Sequence, residues 1–111
     1  MDLKLENRSV LVTAGSKGIG LATARGFHAA GARVAICSRS QDNLDAAAAL
    51  MPGCLAIAGD VSNADDIQRI VTAASDKFGG IDILVNNAGG PPAGLFVDLA
   101  DSDWAKAGDP T

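Results

Sequence analysis

The stretch that decides the fold is VLVTAGSKGIG, residues 10–20. A short apolar run rich in β-branched residues leads directly into three closely spaced glycines, Gly15, Gly18 and Gly20. Because glycine permits backbone conformations that a side chain would obstruct, peptide N–H groups can face an anion where a helix begins. The stretch therefore predicts a strand, a phosphate-binding turn and a helix. A plain tight turn is the alternative that the glycines alone leave open.

Length, charge and cysteine content limit the classes of protein to consider. The chain has 111 residues, of which 48% are hydrophobic, and this is enough for one compact domain. A net charge of −4 gives no reason to expect a nucleic-acid or membrane partner, and no apolar run approaches the roughly 20 residues of a membrane span. Cys37 and Cys54 lie in apolar runs, behind an amino-terminal segment without a signal-peptide core. They indicate reduced core thiols and a cytoplasmic location. No residue cluster predicts a metal site.

Strand-like and helix-like segments alternate along the chain. Apolar runs predict strands at residues 9–14, 33–37, 54–58 and 81–85, with helices at 18–30, 41–50 and from a capping box at Ser62 and Asp65 to about residue 78. Short connections and continuous apolar strands favour an α/β doubly wound parallel sheet, covered by helices on both faces. In such a sheet a ligand binds at the carboxyl ends of the strands.

The end of the second predicted strand bears on the choice of nucleotide. An acidic side chain at this position accepts hydrogen bonds from a ribose 2′-hydroxyl, but this chain has Ser38 and Arg39. A guanidinium fork suits a 2′-phosphate, and Lys17 in the glycine turn is a second cation for the same group. A solvated surface residue is the alternative for each cation taken alone. Together they favour NADP(H) over NAD(H).

Two signatures give the chain a family resemblance. Residues 13–20 match the motif Thr-Gly-x-x-x-Gly-x-Gly of the short-chain dehydrogenase/reductase family, except that Ala14 replaces the first glycine, and residues 86–89 match its Asn-Asn-Ala-Gly signature without change. The resemblance covers residues 5–107. It implies a single, partial Rossmann dinucleotide-binding domain over residues 1–111, truncated to about four strands in the order 3-2-1-4. The chain looks most like the NADPH-dependent carbonyl reductases typified by 3-oxoacyl-acyl-carrier-protein reductase.

The resemblance also implies a cofactor-binding set. Its members are Gly15, Ser16, Lys17, Gly18, Ile19, Ser38, Arg39, Asp60, Val61, Asn87, Ala88 and Gly89. The glycine turn would line the pyrophosphate, Asp60 and Val61 would hold the adenine edge, and residues 87–89 would pass beneath the cofactor. Asn86 would brace the fourth strand. A helix-terminal acid at Asp60 and ordinary turn-forming asparagines remain the alternatives.

Catalytic residues are missing from the pattern. Hydride transfer in the family needs Ser, Tyr, Lys and Asn, yet the chain has no tyrosine, and Thr111 stands where the Asn that follows Trp104 is expected. The tail, residues 108–111, departs from the family pattern by placing Gly and Pro where a helix would continue. We therefore expect a truncated or frameshifted member with no catalytic residue of its own. It should be inactive alone, and a small carbonyl or alcohol substrate would belong only to a full-length form.

Truncation has a consequence for association. The fourth strand would become an exposed edge, and exposed apolar edges promote self-association. Two alternatives to the oxidoreductase lineage follow. One is a non-catalytic NADP(H)-binding or interaction module that pairs with a full-length relative along this strand, and the other is a fragment without function.

Overall fold

The computed structural model describes residues 5–14, 17–87 and 95–99, with the backbone alone for residues 87 and 95–99. Within these residues the strands are β1 (Ser9–Thr13), β2 (Arg33–Ser38), β3 (Leu55–Ala58), β4 (Ile83–Asn87) and β5 (Leu95–Leu99). The helices are α1 (Gly18–Ala29), α2 (Gln41–Leu50) and α3 (Ala64–Phe78). None of these helices is long and apolar enough to cross a membrane.

The strands form one sheet in the order β3-β2-β1-β4-β5. β1 lies in the centre, because Leu11 pairs in parallel with Ala35 of β2 on one side and with Leu84 of β4 on the other. β2 continues the parallel pairing to β3. The predicted doubly wound sheet and its strand order 3-2-1-4 are confirmed.

β5 corrects the prediction of an exposed fourth strand. It pairs antiparallel with β4, from Asn87 opposite Leu95 to Ile83 opposite Leu99. The pairing satisfies backbone groups that an open edge would leave to water. Self-association or docking through a bare edge of β4 therefore loses its structural basis.

The sheet is covered on both faces because successive strand residues point to opposite sides. Val10 and Val12 of β1 pack in the cluster that contains Ala24 of α1 and Leu44 of α2. Leu11, between them, packs in the second cluster with α3, whose buried residues are Ile70 and Ala74. The continuous apolar strands seen in the sequence thus serve two cores at once.

The beginning of α3 differs from the predicted capping box. Asn63, not Ser62, is the N-cap, and its Oδ1 accepts a hydrogen bond from the backbone N–H of Asp66 at 3.0 Å. The hydroxyl of Ser62 donates instead to Asp60 at 2.7 Å, so it is not available to the helix. The predicted box, Ser62 with Asp65, is wrong by one residue.

Arg33 ties the amino edge of the sheet together. Its guanidinium donates to the Phe78 carbonyl oxygen at 2.9 Å and to Ser9 Oγ at 2.7 Å, while its Nε donates to the Asn7 carbonyl oxygen at 3.2 Å. The guanidinium carbon also lies 5.4 Å from the centre of the Phe78 ring. One cation therefore joins β1 and β2 to the last residue of α3, where the helix dipole favours positive charge.

We expect Arg33→Ala to lower the free energy of unfolding by about 1 kcal/mol, because three hydrogen bonds and a helix-terminal cation are lost at an exposed site. Urea denaturation followed by circular dichroism measures the change. The matched control is Arg25→Ala on α1, which removes the same exposed side chain and should change stability by less than about 0.5 kcal/mol. Equal effects of the two substitutions would show that Arg33 makes no specific contribution.

Candidate functional site

The carboxyl ends of the four parallel strands lie along one edge of the sheet. In order along this edge they are Ala58, Ser38, Thr13 and Asn87, the last residues of β3, β2, β1 and β4. Because neighbouring strands are about 4.8 Å apart, the four ends span roughly 14 Å. Residues that follow these strands therefore share a site, which we call the strand-end edge.

The turn after β1 has an unusual backbone. Ala14 has a φ of +53° and Gly18 a φ of +58°, both in the left-handed region that favours glycine. Ala14, the departure from the family motif, thus adopts a conformation that glycine takes without strain. For a residue with a Cβ atom this conformation costs about 1 kcal/mol.

The amino end of α1 is open. Lys17 is the N-cap in an extended conformation and makes no side-chain hydrogen bond to the helix, and the first turn holds no acidic residue. By contrast, α2 and α3 are capped by Ser40 and Asn63, and each carries at least one acidic residue in its first turn. Because the first amides of a helix lack intrahelical acceptors, α1 presents N–H groups and a positive dipole end to the strand-end edge.

Exposed apolar and cationic side chains follow the ends of β1 and β2. Ile19, in the first turn of α1, is 54% exposed although it is a large hydrophobic residue. Lys17 and Arg39 are also exposed, and within the described residues neither makes an ion pair. Both cations are therefore available to an external anion.

The ends of β2 and β3 are joined by backbone and side-chain contacts. The Ser38 carbonyl oxygen accepts from the Gly59 N–H at 2.9 Å, and Ser38 Oγ accepts from the Ser40 N–H at 3.2 Å. Because of this junction, Arg39 after β2 and Asp60 after β3 act on each other electrostatically. The structure thus brings together two predicted site residues that are distant in sequence.

Asp60 has a strongly oriented carboxylate. Its Oδ1 accepts from the Ser62 hydroxyl at 2.7 Å and from the Ser62 N–H at 2.9 Å. These hydrogen bonds, with a smaller contribution from the charge of Arg39, hold the pKa of the Asp60 carboxyl below its ordinary value. The group is therefore an ionised hydrogen-bond acceptor at neutral pH. Val61, next in the chain, is half-buried and packs against the core beneath α3.

β1 and β4 are also linked at their carboxyl ends. The Thr13 hydroxyl lies 3.0 Å from Asn86 Oδ1 and 3.4 Å from the Val85 carbonyl oxygen. Asn86 therefore braces the fourth strand against the central one, as the resemblance implied. Four predicted site residues, Gly15, Ser16, Ala88 and Gly89, lie outside the described residues, and the side chain of Asn87 does too.

The two cysteines are neutral thiols. Both are free thiols, and burial raises the pKa of each above its ordinary value, so both stay protonated at neutral pH. Cys37 is fully buried, and a hydrogen bond with the Ala14 backbone opposes part of its shift. Over the part of the chain that the structure describes, no group of three metal-ligating side chains occurs.

Sequence reasoning missed Ser62 and Asp66 as residues of this site. Both contact Asp60. Ser62 donates its hydroxyl to the Asp60 carboxylate, and Asp66 accepts a hydrogen bond from the Asp60 backbone N–H at 2.9 Å. A signal was available, because Asn63 and Asp66 stand three apart like the members of a cap. It would have found the helix start, but not the hydrogen bond that reaches back to Asp60.

Comparisons with known proteins agree with this geometry. Residues 8–109 match the family model described as short chain dehydrogenase. Among curated proteins, "Dehydrogenase/reductase SDR family member 4" of Sus scrofa is 42% identical over 107 residues, which cover 92% of this chain and 38% of that protein. "Nodulation protein G" of Rhizobium sp. (strain N33) is 39% identical over 102 residues, covering 91% and 42%.

Solved structures show the same similarity. A short chain dehydrogenase from Bacillus anthracis aligns with a TM-score of 0.73 and 41% identity, over 78% of this chain and 36% of that one. A short-chain dehydrogenase/reductase from Brucella melitensis aligns with a TM-score of 0.71 and 39% identity, over 76% and 37%. The chain spans about two fifths of the length of the curated relatives it matches.

We expect Ala14→Gly to raise the free energy of unfolding by roughly 0.5 to 1 kcal/mol, because relief of the left-handed strain outweighs the added flexibility of the unfolded chain. Urea denaturation measures it. The control, Ala22→Gly on the exposed face of α1, makes the same chemical change at a helical φ and should lower stability by about 1 kcal/mol. Destabilisation by Ala14→Gly as well would refute the strained turn.

Proposed function

The chain belongs to the short-chain dehydrogenase/reductase family, whose members are oxidoreductases with a nicotinamide dinucleotide cofactor, and we propose that residues 1–111 form an NADP(H)-binding unit of that family. The open amino end of α1 at the carboxyl end of the central strand carries the proposal. α1 is the one helix in the described residues without a side-chain cap or an acid in its first turn. The residues present therefore fit a diphosphate, which needs N–H donors and no nearby carboxylate.

Preference for NADP(H) over NAD(H) rests on the residues after β2. Ser38 ends the strand where a carboxylate would bind a ribose 2′-hydroxyl and repel a 2′-phosphate. Arg39 follows it, exposed and free of an ion pair within the described residues, and Lys17 lies at the neighbouring strand end. A guanidinium binds a phosphate through two parallel hydrogen bonds, which supports Arg39 as the principal contact.

The remaining site residues have roles that the same proposal assigns. Asp60 accepts a hydrogen bond from the adenine amine, and the backbone of Val61 contacts the adenine edge. Gly15, Ser16, Gly18 and Ile19 line the pyrophosphate, and residues 87–89 pass beneath the cofactor. The ionised carboxylate of Asp60 supports its role, since the charged form accepts hydrogen bonds at both oxygens and donates at neither.

A bound nicotinamide cofactor supplies hydride transfer. We propose that the other reactant, in a full-length form, is a small carbonyl or alcohol. Residues 1–111 hold and orient the cofactor. The 111 residues include no tyrosine to act as the general acid or base, so we assign them no catalytic residue and no hydride transfer on their own. A cytosolic location is part of the proposal, in keeping with two free thiols.

We expect the chain to bind NADPH more tightly than NADH, and Arg39→Ala to weaken NADPH binding by about tenfold or more while it leaves NADH within about twofold. Isothermal titration calorimetry with both cofactors measures this. The control is Arg25→Ala, which removes an equal exposed charge from α1 away from the strand-end edge.

Two results would contradict the proposal. Absence of binding by either cofactor would overturn the cofactor-binding role. An equal loss of affinity for NADPH and NADH in Arg39→Ala would retain that role and overturn the assignment of Arg39 to the 2′-phosphate.

A further inference from the structure

The loop between β3 and α3 is held by a chain of polar contacts. Asp66 Oδ2 accepts a hydrogen bond from the backbone N–H of Asp60 at 2.9 Å, and Asp66 Oδ1 lies 3.5 Å from Arg69 Nη2. The same Arg69 nitrogen donates to the Ala58 carbonyl oxygen, the last of β3, at 2.7 Å. Asp66 therefore connects the backbone of Asp60 to both β3 and the first turn of α3.

The carboxylate of Asp60 is held as well, but at one oxygen only. Ser62 donates its hydroxyl and its backbone N–H to Oδ1. Oδ2 accepts no hydrogen bond from any side chain or backbone group of the described residues. Two donors on one oxygen fix the rotation of the carboxylate and leave the second oxygen to an external donor.

We propose that Ser62 and Asp66 are positioning residues that present Oδ2 of Asp60 to the exocyclic amine of the adenine in a bound dinucleotide. This inference rests on the proposed cofactor-binding function. Ser62 sets the orientation of the carboxylate, and Asp66 sets the place of its backbone. An acceptor that is already oriented loses little side-chain freedom when the ligand binds, so more of the hydrogen bond contributes to affinity.

Loss of Ser62 or Asp66 should weaken the contact with the adenine amine and not the binding of the whole cofactor. Hypoxanthine carries a carbonyl oxygen where adenine carries the amine, so it offers the Asp60 carboxylate no donor there. A merely structural loop would affect cofactors with either base equally, because the sugars, the phosphates and the nicotinamide are the same. The ratio of the two affinities therefore isolates the contact that Ser62 and Asp66 are proposed to position.

The test is the binding of NADPH and of reduced nicotinamide hypoxanthine dinucleotide phosphate to the whole chain, by calorimetry. We expect wild type to prefer the adenine cofactor by about tenfold, as for a hydrogen bond to a charged acceptor. Ser62→Ala and Asp66→Ala should each reduce this preference to within about threefold. Two controls should retain it: Ser62→Thr, which keeps the hydroxyl, and Asp65→Ala, which removes an exposed carboxylate from the same helical turn.

The outcomes separate the positioning role of Ser62 and Asp66 from the cofactor-binding function. A preference that persists in Ser62→Ala and in Asp66→Ala overturns the positioning role, whether or not both affinities fall together. Equal affinity of wild type for the two cofactors overturns it while the cofactor-binding function stands. Failure of wild type to bind either one overturns both. Urea denaturation checks that each variant is folded. Ser62→Ala is the variant least affected by packing, because Ser62 is exposed.

Discussion

β1 is hydrogen-bonded in parallel to β2 on one side and to β4 on the other, and the site depends on this double pairing. Parallel pairing brings the carboxyl ends of neighbouring strands to a common edge, so the segments that follow them meet. Lys17, Arg39 and Asp60 follow β1, β2 and β3, and they reach this common edge because β2 also pairs in parallel with β3. The opposite edge is joined separately by Arg33, which donates hydrogen bonds to the Phe78 carbonyl oxygen and to Ser9.

The turn after β1 accommodates a residue with a Cβ atom in a backbone conformation that favours glycine. Ala14 stands where the family motif has glycine, yet its φ of +53° is the left-handed conformation that glycine favours. The pairing of Thr13 with Cys37 and the hydrogen-bond contact of Thr13 with Asn86 hold the strand end on both sides of this turn. Local strain at Ala14 is therefore tolerated because the surrounding sheet determines the backbone.

Sequence reasoning succeeded where local signals agreed. α2 spans residues 41–50 as predicted, because a serine cap, an alanine run and a Pro-Gly pair define it. β4 was predicted two residues too early, since buried Ile81 looks like a strand residue although it precedes the strand. β5 was missed because its pairing is set by β4 and not by its own short sequence. The electrostatic effect of Arg39 on Asp60 likewise requires the strand order, which no local pattern contains.

The most direct measurement is the change in backbone amide chemical shifts of the ¹⁵N-labelled chain on addition of NADPH. If the strand-end edge binds the cofactor, the largest changes will fall on three segments that are far apart in sequence: residues 17–19, Arg39 and residues 60–62. Changes concentrated at the amino edge, around Arg33 and Ser9, would contradict the central claim, and so would a spectrum that does not change at saturating NADPH.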